Sequence, residues 1–213
     1  MISSVSVANS KSPAHQDDLC VAPQVYRSLG FGLIANHLKE QSKPNVLDLG
    51  PSVSANIAYL SQYHCKLYVE NLSDSVDDLN AAMRAEEDRD RAIASCFQPY
   101  GNTQFDVILA WDLFNYLELE ALATSMDYLS RYCKPGTRLY ALVGIGKQVL
   151  DTPSRFEIVD DEQLRYGVAI AGGRRCPQHS IPDLLRRLPE FAVKRTYLLR
   201  NGMQEYVFGY QTY

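Results

Sequence analysis

The sequence predicts an α/β protein with three layers, in which helices cover both faces of a doubly wound, mostly parallel sheet that ends in an antiparallel β-hairpin. From Pro44 onward, short apolar runs of strand length alternate with stretches of helical pattern, which is typical of a parallel sheet. The end of the chain differs, because two β-rich runs flank Asn201-Gly202. Both residues of that dipeptide tolerate positive φ, so it favours a hairpin turn.

The start of the chain predicts a tail followed by helices. "MISSVSVANSKSPAHQDD" has no compact apolar core behind a basic start, so it is predicted to be neither a secretory signal nor an anchor. We expect residues 1–18 to form a disordered tail and residues 19–213 to form one domain, since 213 residues suit a single core. Apolar residues at spacings of three and four between Val25 and Leu38 then predict one or two amphipathic helices.

Five apolar runs are short enough to be strands. They are "NVLDLG", "CKLYVEN", a weak "AIASCF", "FDVILAW" and "RLYALVG". Helices are predicted for "SANIAYLSQY", "SVDDLNAAMRAEEDRD" and "LELEALATSMDYLSRYC" between them. A further short helix, "SIPDLLRRL", has Ser180 as the expected N-cap and Pro182 in its first turn.

Composition narrows the class of protein. Hydrophobic residues at 46% and charged residues at 22% are ordinary for a soluble globular chain. The longest apolar runs fall far below the roughly 20 residues of a membrane span. A formal net charge of -4 disfavours a nucleic-acid partner. The five cysteines form no C-x-x-C pair, so we expect no metal site, and reduced thiols in a cytoplasmic protein.

A turn at Asp48-Leu49-Gly50 follows the first strand-like run. There, backbone N–H groups and a helix N-terminus can face a ligand, and Gly50 lets the backbone come close. Glu70 lies about 20 residues later, where a carboxylate can accept both ribose hydroxyls of an adenosine. The same pair of features also suits NAD. An ordinary turn and a solvent-facing strand end are the alternatives.

The order of several segments resembles a known family. "VLDLG", Glu70, "QFDVILAWDLFNYL", "LSRYCKPGTRLYALV" and the terminal hairpin follow one another as in class I S-adenosylmethionine-dependent methyltransferases, and the likeness runs from Pro44 to about Gln211. The resemblance implies a Rossmann-like sheet of order 3-2-1-4-5-7-6, S-adenosyl-L-methionine as cofactor and a methyltransferase activity. Two further glycines usual in the family are absent, since Pro51, Ser52, Val53 and Ser54 follow Gly50.

The resemblance also implies roles for individual residues. Cofactor contacts are expected from Asp48, Gly50, Ser52, Glu70, Asn71, Phe97 and Trp111, and catalytic roles from Asp112 and Tyr116. Transfer of a sulfonium methyl group is an in-line displacement that needs at most one base, which Asp112 can supply. Phe97 can form an apolar wall for adenine, and Trp111 can lie against adenine or the sulfonium cation. Core packing for both aromatic residues, and helix capping by Asp112, Ser52 or Ser54, are the alternatives.

Three functions therefore compete. The first is a methyltransferase for a small-molecule acceptor, the second a binding or scaffold protein that kept the fold without catalysis, and the third a nucleotide-linked oxidoreductase. The Gly-rich, basic "AGGRRCPQ" before His179 is either part of a substrate pocket or a solvated loop.

Overall fold

The computed structural model describes residues 23–85, 88–144, 146–166, 173–177, 179–200 and 202–211. The predicted tail, residues 1–18, lies outside the described residues. The helices are α1 (Leu29–Glu40), α2 (Ser54–Ser61), α3 (Val76–Arg84), α4 (Arg89–Cys96), α5 (Leu119–Ser130) and α6 (Ile181–Arg187). The strands are β1 (Gln24–Arg27), β2 (Asn45–Asp48), β3 (Lys66–Val69), β4 (Phe105–Trp111), β5 (Cys133–Gly144), β6 (Gln148–Val149), β7 (Glu157–Asp160), β8 (Gln163–Tyr166), β9 (Arg174–Arg175), β10 (Phe191–Leu198) and β11 (Met203–Tyr210).

The main sheet has six described strands in the order β10-β11-β5-β4-β2-β3. Strands β3, β2, β4 and β5 are parallel, whereas β11 is antiparallel to both β5 and β10. The predicted fold class, a mostly parallel α/β sheet with a C-terminal hairpin, is therefore confirmed. In the numbering of the predicted seven-stranded order, the six strands read 6-7-5-4-1-2.

The strand predicted over "AIASCF" is wrong. These residues belong to α4, whose N-cap Asp88 accepts hydrogen bonds from the backbone N–H groups of Asp90 and Arg91. Only Ile93 of this helix is fully buried, so the segment lies on the surface and lacks the apolar alternation that a strand would bury. The predicted third strand is thus absent from the described part of the sheet.

The predicted helix around Val25 is also wrong, because β1 occupies that position. β1 pairs antiparallel with β8, and β7 completes a three-stranded second sheet. Helix α1 begins only at Leu29, where the Ser28 hydroxyl caps it by accepting from the N–H of Phe31. Pairing with a strand more than a hundred residues away overrides the local helical spacing.

The terminal hairpin forms as predicted, although its loop is longer than a two-residue turn. The N–H of Leu199 donates to the carbonyl of Met203, and the N–H of Gly202 donates to the carbonyl of Leu199. Gly202 has a φ of +80°, the left-handed conformation that glycine adopts without strain. Asn201, the other residue of the predicted turn, lies outside the described residues.

Hydrophobic clusters cover the two faces of the main sheet. Successive residues of β2 point to opposite faces, so Leu47 packs with α3, α5 and α6 whereas Val46 packs with α1, α2 and the second sheet. This layering leaves the carboxyl ends of β2, β3 and β4 as the edge where side chains from different elements meet. No helix in the described ranges combines the length and the hydropathy that a membrane span requires.

Candidate functional site

Asp48 is the last residue of β2 and is almost fully buried. Its Oδ1 accepts two hydrogen bonds, one of 2.9 Å from the N–H of Gly50 and one of 2.6 Å from Nε1 of Trp111. Burial raises the pKa of this carboxyl group to about 6, although both hydrogen bonds act in the opposite direction. The predicted turn therefore exists, and its acidic side chain is engaged within the protein.

Gly50 lies directly beneath the indole ring of Trp111. A Cβ placed on Gly50 would be 2.6 Å from Cδ1 of Trp111, closer than real carbon contacts allow. Trp111, the last residue of β4, stacks on Phe156 with ring centroids 5.3 Å apart and an interplanar angle of 6°, and more loosely on Phe31 at 6.3 Å. The missing side chain of Gly50 thus allows the indole of Trp111 to lie against the backbone at this point.

No side chain caps the N-terminus of α2. The N-cap of α2 is Val53, which makes no side-chain capping bond, so the predicted capping by Ser52 or Ser54 is wrong. The Ser52 side chain is exposed, and its carbonyl oxygen accepts a hydrogen bond from Arg155.

Glu70 follows β3 at the same edge of the sheet. Its N–H donates to the carbonyl of Asp48 at 2.9 Å, and its Oε1 accepts from the hydroxyl of Tyr100 at 2.8 Å. Asn71 has a left-handed backbone with φ +33°, and its amide donates to Asp74. Oδ1 of Asn71 and Oγ of Ser73 are buried with no hydrogen-bond partner among the described residues.

Phe97, predicted as an adenine wall, lies at the C-terminus of α4 and is buried in the cluster that covers the α5 face. Its ring stacks on Tyr128 at 5.2 Å. This packing agrees with the core alternative, and contact of Phe97 with a ligand stays a prediction.

Asp112 is buried immediately after β4. Its Oδ2 accepts a 3.0 Å hydrogen bond from the N–H of Ser154, while Oδ1 is buried without a partner in the described part of the chain. Burial raises the pKa of Asp112 to about 6. The following residues, Leu113–Asn115, form a 3-10 helix, and the Asp112 side chain does not cap it.

Tyr116 lies close to Asp112, whose charge adds to burial in raising the pKa of the Tyr116 phenol. Its hydroxyl donates a 2.9 Å hydrogen bond to the carbonyl of Thr152. The ring is almost fully buried and faces the guanidinium of Arg174 at 5.8 Å. The hydroxyl of this predicted catalytic residue is therefore occupied by a backbone contact.

A segment for which the sequence predicts no role crosses this edge, and we call residues 152–158 the strap. Its contacts run from Tyr116 and Asp112 at one end to Asn56 of α2 at the other, where Asn56 bonds both the carbonyl of Phe156 and the N–H of Ile158. Phe156 stacks on Trp111 between these ends. In the sequence, the alternation of apolar Phe156 and Ile158 with charged Arg155 and Glu157 is a local signal for a half-buried extended segment.

The residues around His179 serve a structural contact. Nε2 of His179 lies 2.8 Å from the carbonyl of Leu117, and Arg174 forms an ion pair with Asp77 at 2.7 Å. Only residues 173–177 of "AGGRRCPQ" are among the described residues, so the predicted pocket there lies largely outside them.

Among the residues that the structure describes, three surface clefts of about 410 to 540 Å³ lie away from the Asp48 turn. The largest lies between α3 and α4, the second between β1 and the tip of the hairpin, and the third beside α5 and α6. None of the three is lined by Asp48, Gly50, Glu70 or Trp111. Above Gly50 this edge of the sheet is covered by the indole of Trp111, whereas Glu70 is partly exposed.

Comparison with known proteins supports the fold through structure alone. No model of a protein family matches the sequence, and no curated protein matches it. The methyltransferase CcbJ from Streptomyces caelestis is similar in structure with a TM-score of 0.50 and 12% identity, over 85% of this chain and 94% of that one.

Two further solved structures are similar at lower TM-scores. A 1,6-didemethyltoxoflavin-N1-methyltransferase from Burkholderia thailandensis, with bound 1,6-didemethyltoxoflavin and S-adenosylhomocysteine, has a TM-score of 0.48 and 16% identity over 86% of this chain and 77% of that one. The N-methyltransferase NodS from Bradyrhizobium japonicum WM9, in complex with S-adenosylhomocysteine, has a TM-score of 0.46 and 15% identity over 85% and 86%. The chain has a Rossmann-like methyltransferase fold, and the resemblance stated from the sequence is confirmed at the level of the fold.

Proposed function

We propose that the chain is an S-adenosylmethionine-dependent methyltransferase that acts on a small-molecule acceptor in the cytoplasm, with residues 19–213 as its domain. The observation that carries the proposal is the position of Glu70. Its carboxylate lies at the carboxyl end of β3 and its N–H is bonded to the carbonyl of Asp48. Open α/β sheets bind ligands beside such strand ends, where the connections leave in opposite directions.

The nucleoside half of the cofactor fits the residues present. Glu70 presents a partly exposed carboxylate whose Oε1 is oriented by Tyr100, and such a group can accept ribose hydroxyls. The buried Oδ1 of Asn71 and Oγ of Ser73, which have no partner within the described ranges, add polar atoms that a nucleoside can satisfy. The amino-acid half does not fit as the side chains stand, because Trp111 covers Gly50.

The chemistry of methyl transfer asks little of the protein beyond position and one base. When bound, S-adenosylmethionine supplies a sulfonium methyl group that is open to in-line displacement. Asp112 is the candidate base, since its Oδ1 has no partner among the described residues and a pKa of about 6 leaves it ionised at neutral pH. Tyr116 and Asp112 hold the strap over the edge, where Trp111 and Asp112 are buried.

A binding protein without catalysis is the second candidate. One observation favours it: the indole of Trp111 covers Gly50. A protein that no longer catalyses methyl transfer does not need a crevice open to the whole cofactor. A nucleotide-linked oxidoreductase is the third candidate, since an acidic residue after the second parallel strand also suits the ribose of NAD.

Calorimetric titration of the full chain with S-adenosylhomocysteine and with NAD separates the three. Binding of S-adenosylhomocysteine without binding of NAD is the expected result. Binding of NAD alone would favour the oxidoreductase, and binding of neither would favour the scaffold. In a chain that binds the cofactor, Asp112→Asn is expected to lower turnover and to leave the affinity for S-adenosylhomocysteine nearly unchanged.

A further inference from the structure

We infer that Trp111 determines which ligands this edge of the sheet admits: its indole occupies the space that the amino-acid half of S-adenosylmethionine needs, and it swings out with the strap to admit that half. The inference rests on the proposed function for the identity of the ligand. Trp111 ends β4 and is not part of the turn at Asp48-Leu49-Gly50.

The indole of Trp111 blocks access to Gly50 sterically. The space where a Gly50 side chain would begin is filled by Cδ1 of Trp111 at 2.6 Å and by Nε1 at 2.9 Å. Ordinary van der Waals contact between such atoms begins near 3.4 Å. A ligand atom therefore cannot contact this face of Gly50 while the indole is in place. The space left by the missing side chain of Gly50 is filled by Trp111 and is closed to a ligand.

The backbone of Trp111 is strained. Its φ of +49° is left-handed, which is rare and strained for a bulky side chain. The register between β4 and β5 is irregular between Leu109 and Trp111, so a bulge turns the side chain away from its regular position in the strand. Such a strained conformation persists only while the surrounding contacts hold it. When these contacts are lost, release of the strain favours a different position of the Trp111 side chain.

Several contacts hold the indole ring of Trp111. It donates the hydrogen bond to Asp48, stacks on Phe156 at 5.3 Å, meets the ring of Tyr140 edge-on at 6.0 Å and lies more loosely on Phe31 at 6.3 Å. Phe156 belongs to the strap, so the closest stack breaks when the strap lifts. The indole and the strap are therefore coupled, and opening costs a ligand part of its affinity.

The consequence is a difference between two ligands. 5′-Methylthioadenosine has the nucleoside of S-adenosylhomocysteine without the amino-acid half, so it can bind at Glu70 with Trp111 in place. S-Adenosylhomocysteine requires the indole to move. Removal of the indole should therefore improve the binding of S-adenosylhomocysteine and leave that of methylthioadenosine nearly unchanged.

Wild-type protein provides the first test, because Trp111 is the only tryptophan of the chain and the sole source of tryptophan fluorescence. Addition of S-adenosylhomocysteine should shift the emission to the red and increase quenching by acrylamide, since the buried ring becomes exposed. Methylthioadenosine should change neither signal.

Two variants provide the second test by calorimetry. Trp111→Ala should strengthen the binding of S-adenosylhomocysteine relative to methylthioadenosine by at least tenfold, and Phe156→Ala, which keeps the indole but removes its stack, should give a smaller change in the same direction. Binding of S-adenosylhomocysteine to the wild type with unchanged fluorescence overturns the inference and leaves the proposed function standing. Failure of both ligands to bind the wild type and Trp111→Ala overturns the proposed function, and the inference with it.

Discussion

Nε1 of Trp111 donates a 2.6 Å hydrogen bond to Oδ1 of Asp48 and so joins the ends of two neighbouring parallel strands, β4 and β2. The sequence suggested both residues as contacts for a cofactor, and the structure makes each the partner of the other. The point at which an open α/β sheet usually receives its ligand is thus occupied by a side chain. Glu70, at the end of the next strand, remains available to a ligand through its second carboxylate oxygen.

Replacement of Glu70 tests the nucleoside half of the site. Glu70→Gln keeps the shape of the side chain and an oxygen for Tyr100, but it removes the charge that strengthens hydrogen bonds to ribose hydroxyls. Hydrogen bonds to charged groups contribute roughly 1.5–3 kcal/mol each, so the variant should bind S-adenosylhomocysteine at least about tenfold more weakly in calorimetry. The melting temperature should hardly change, since Glu70 is partly exposed.

Glu190→Gln is the matched control for that change. Glu190 precedes β10, and its carboxylate is near Cys133, at the amino end of β5 and so at the opposite edge of the sheet. Its replacement should leave the affinity for S-adenosylhomocysteine as in the wild type. Equal weakening by both variants would mean that Glu70 acts through overall charge and not through contact.

The pattern of apolar residues in the sequence predicts the strands whose position depends on that pattern alone. Strands β2 and β4 are predicted correctly because both are short apolar runs, and in the structure both are buried between neighbouring strands and the layers on the two faces of the sheet. β1 and the strap could not be predicted in this way, since each depends on partners far along the chain. Likewise, no spacing rule indicates that Trp111 would turn back over Gly50, because a bulge and a positive φ direct it there.

Glu205 provides a test of the buried polar contacts that hold α1. Its carboxylate is fully buried and accepts hydrogen bonds from the hydroxyls of Ser28 and Tyr140 and from the N–H of Gly30, the last at 2.9 Å. Glu205→Gln replaces one acceptor oxygen by an NH₂ group that faces donors. We expect a loss of roughly 3 kcal/mol in the free energy of unfolding, measured with urea.

Tyr140→Phe is the milder comparison for Glu205. It removes one donor and leaves the other two contacts of the carboxylate, so about 1 to 2 kcal/mol should be lost. A Glu205→Gln protein as stable as the wild type would show that this carboxylate contributes nothing to the docking of α1.

Deletion of residues 1–18 should leave the melting temperature unchanged. The contacts that fix the start of the described chain are made further on: β1 pairs with β8, and the N–H of Ser28 donates to the carbonyl of Glu162 at 2.7 Å. Deletion through Arg27 should lower the melting temperature, because it removes β1 and the ion pair of Arg27 with Glu162. Similar losses from the two deletions, followed by differential scanning calorimetry, would contradict the assignment of residues 1–18 as a dispensable tail.

The dependence of stability on pH tests the two buried aspartates. Burial raises the pKa values of Asp48 and Asp112 from 3.8 to about 6, so between these values the folded chain holds protons that the unfolded chain has lost. Stability from these groups is therefore fully present below pH 3.8 and is lost as the pH rises through 6. A shift of two units corresponds to roughly 3 kcal/mol for each group.

Asp112→Asn should remove one of these contributions while keeping an oxygen for the N–H of Ser154. Relative to the wild type, the variant should gain up to roughly 3 kcal/mol of unfolding free energy between pH 4 and pH 7, measured by urea unfolding across that range. Asp161→Asn is the control of opposite sign, since Lys39 lowers the pKa of Asp161 and that carboxylate stabilises the fold only once it is ionised. Its deficit should grow as the pH rises from acid to neutral. A difference between Asp112→Asn and the wild type that stays constant with pH would show that Asp112 titrates alike in the folded and unfolded chains, and would remove the argument that it is a buried base.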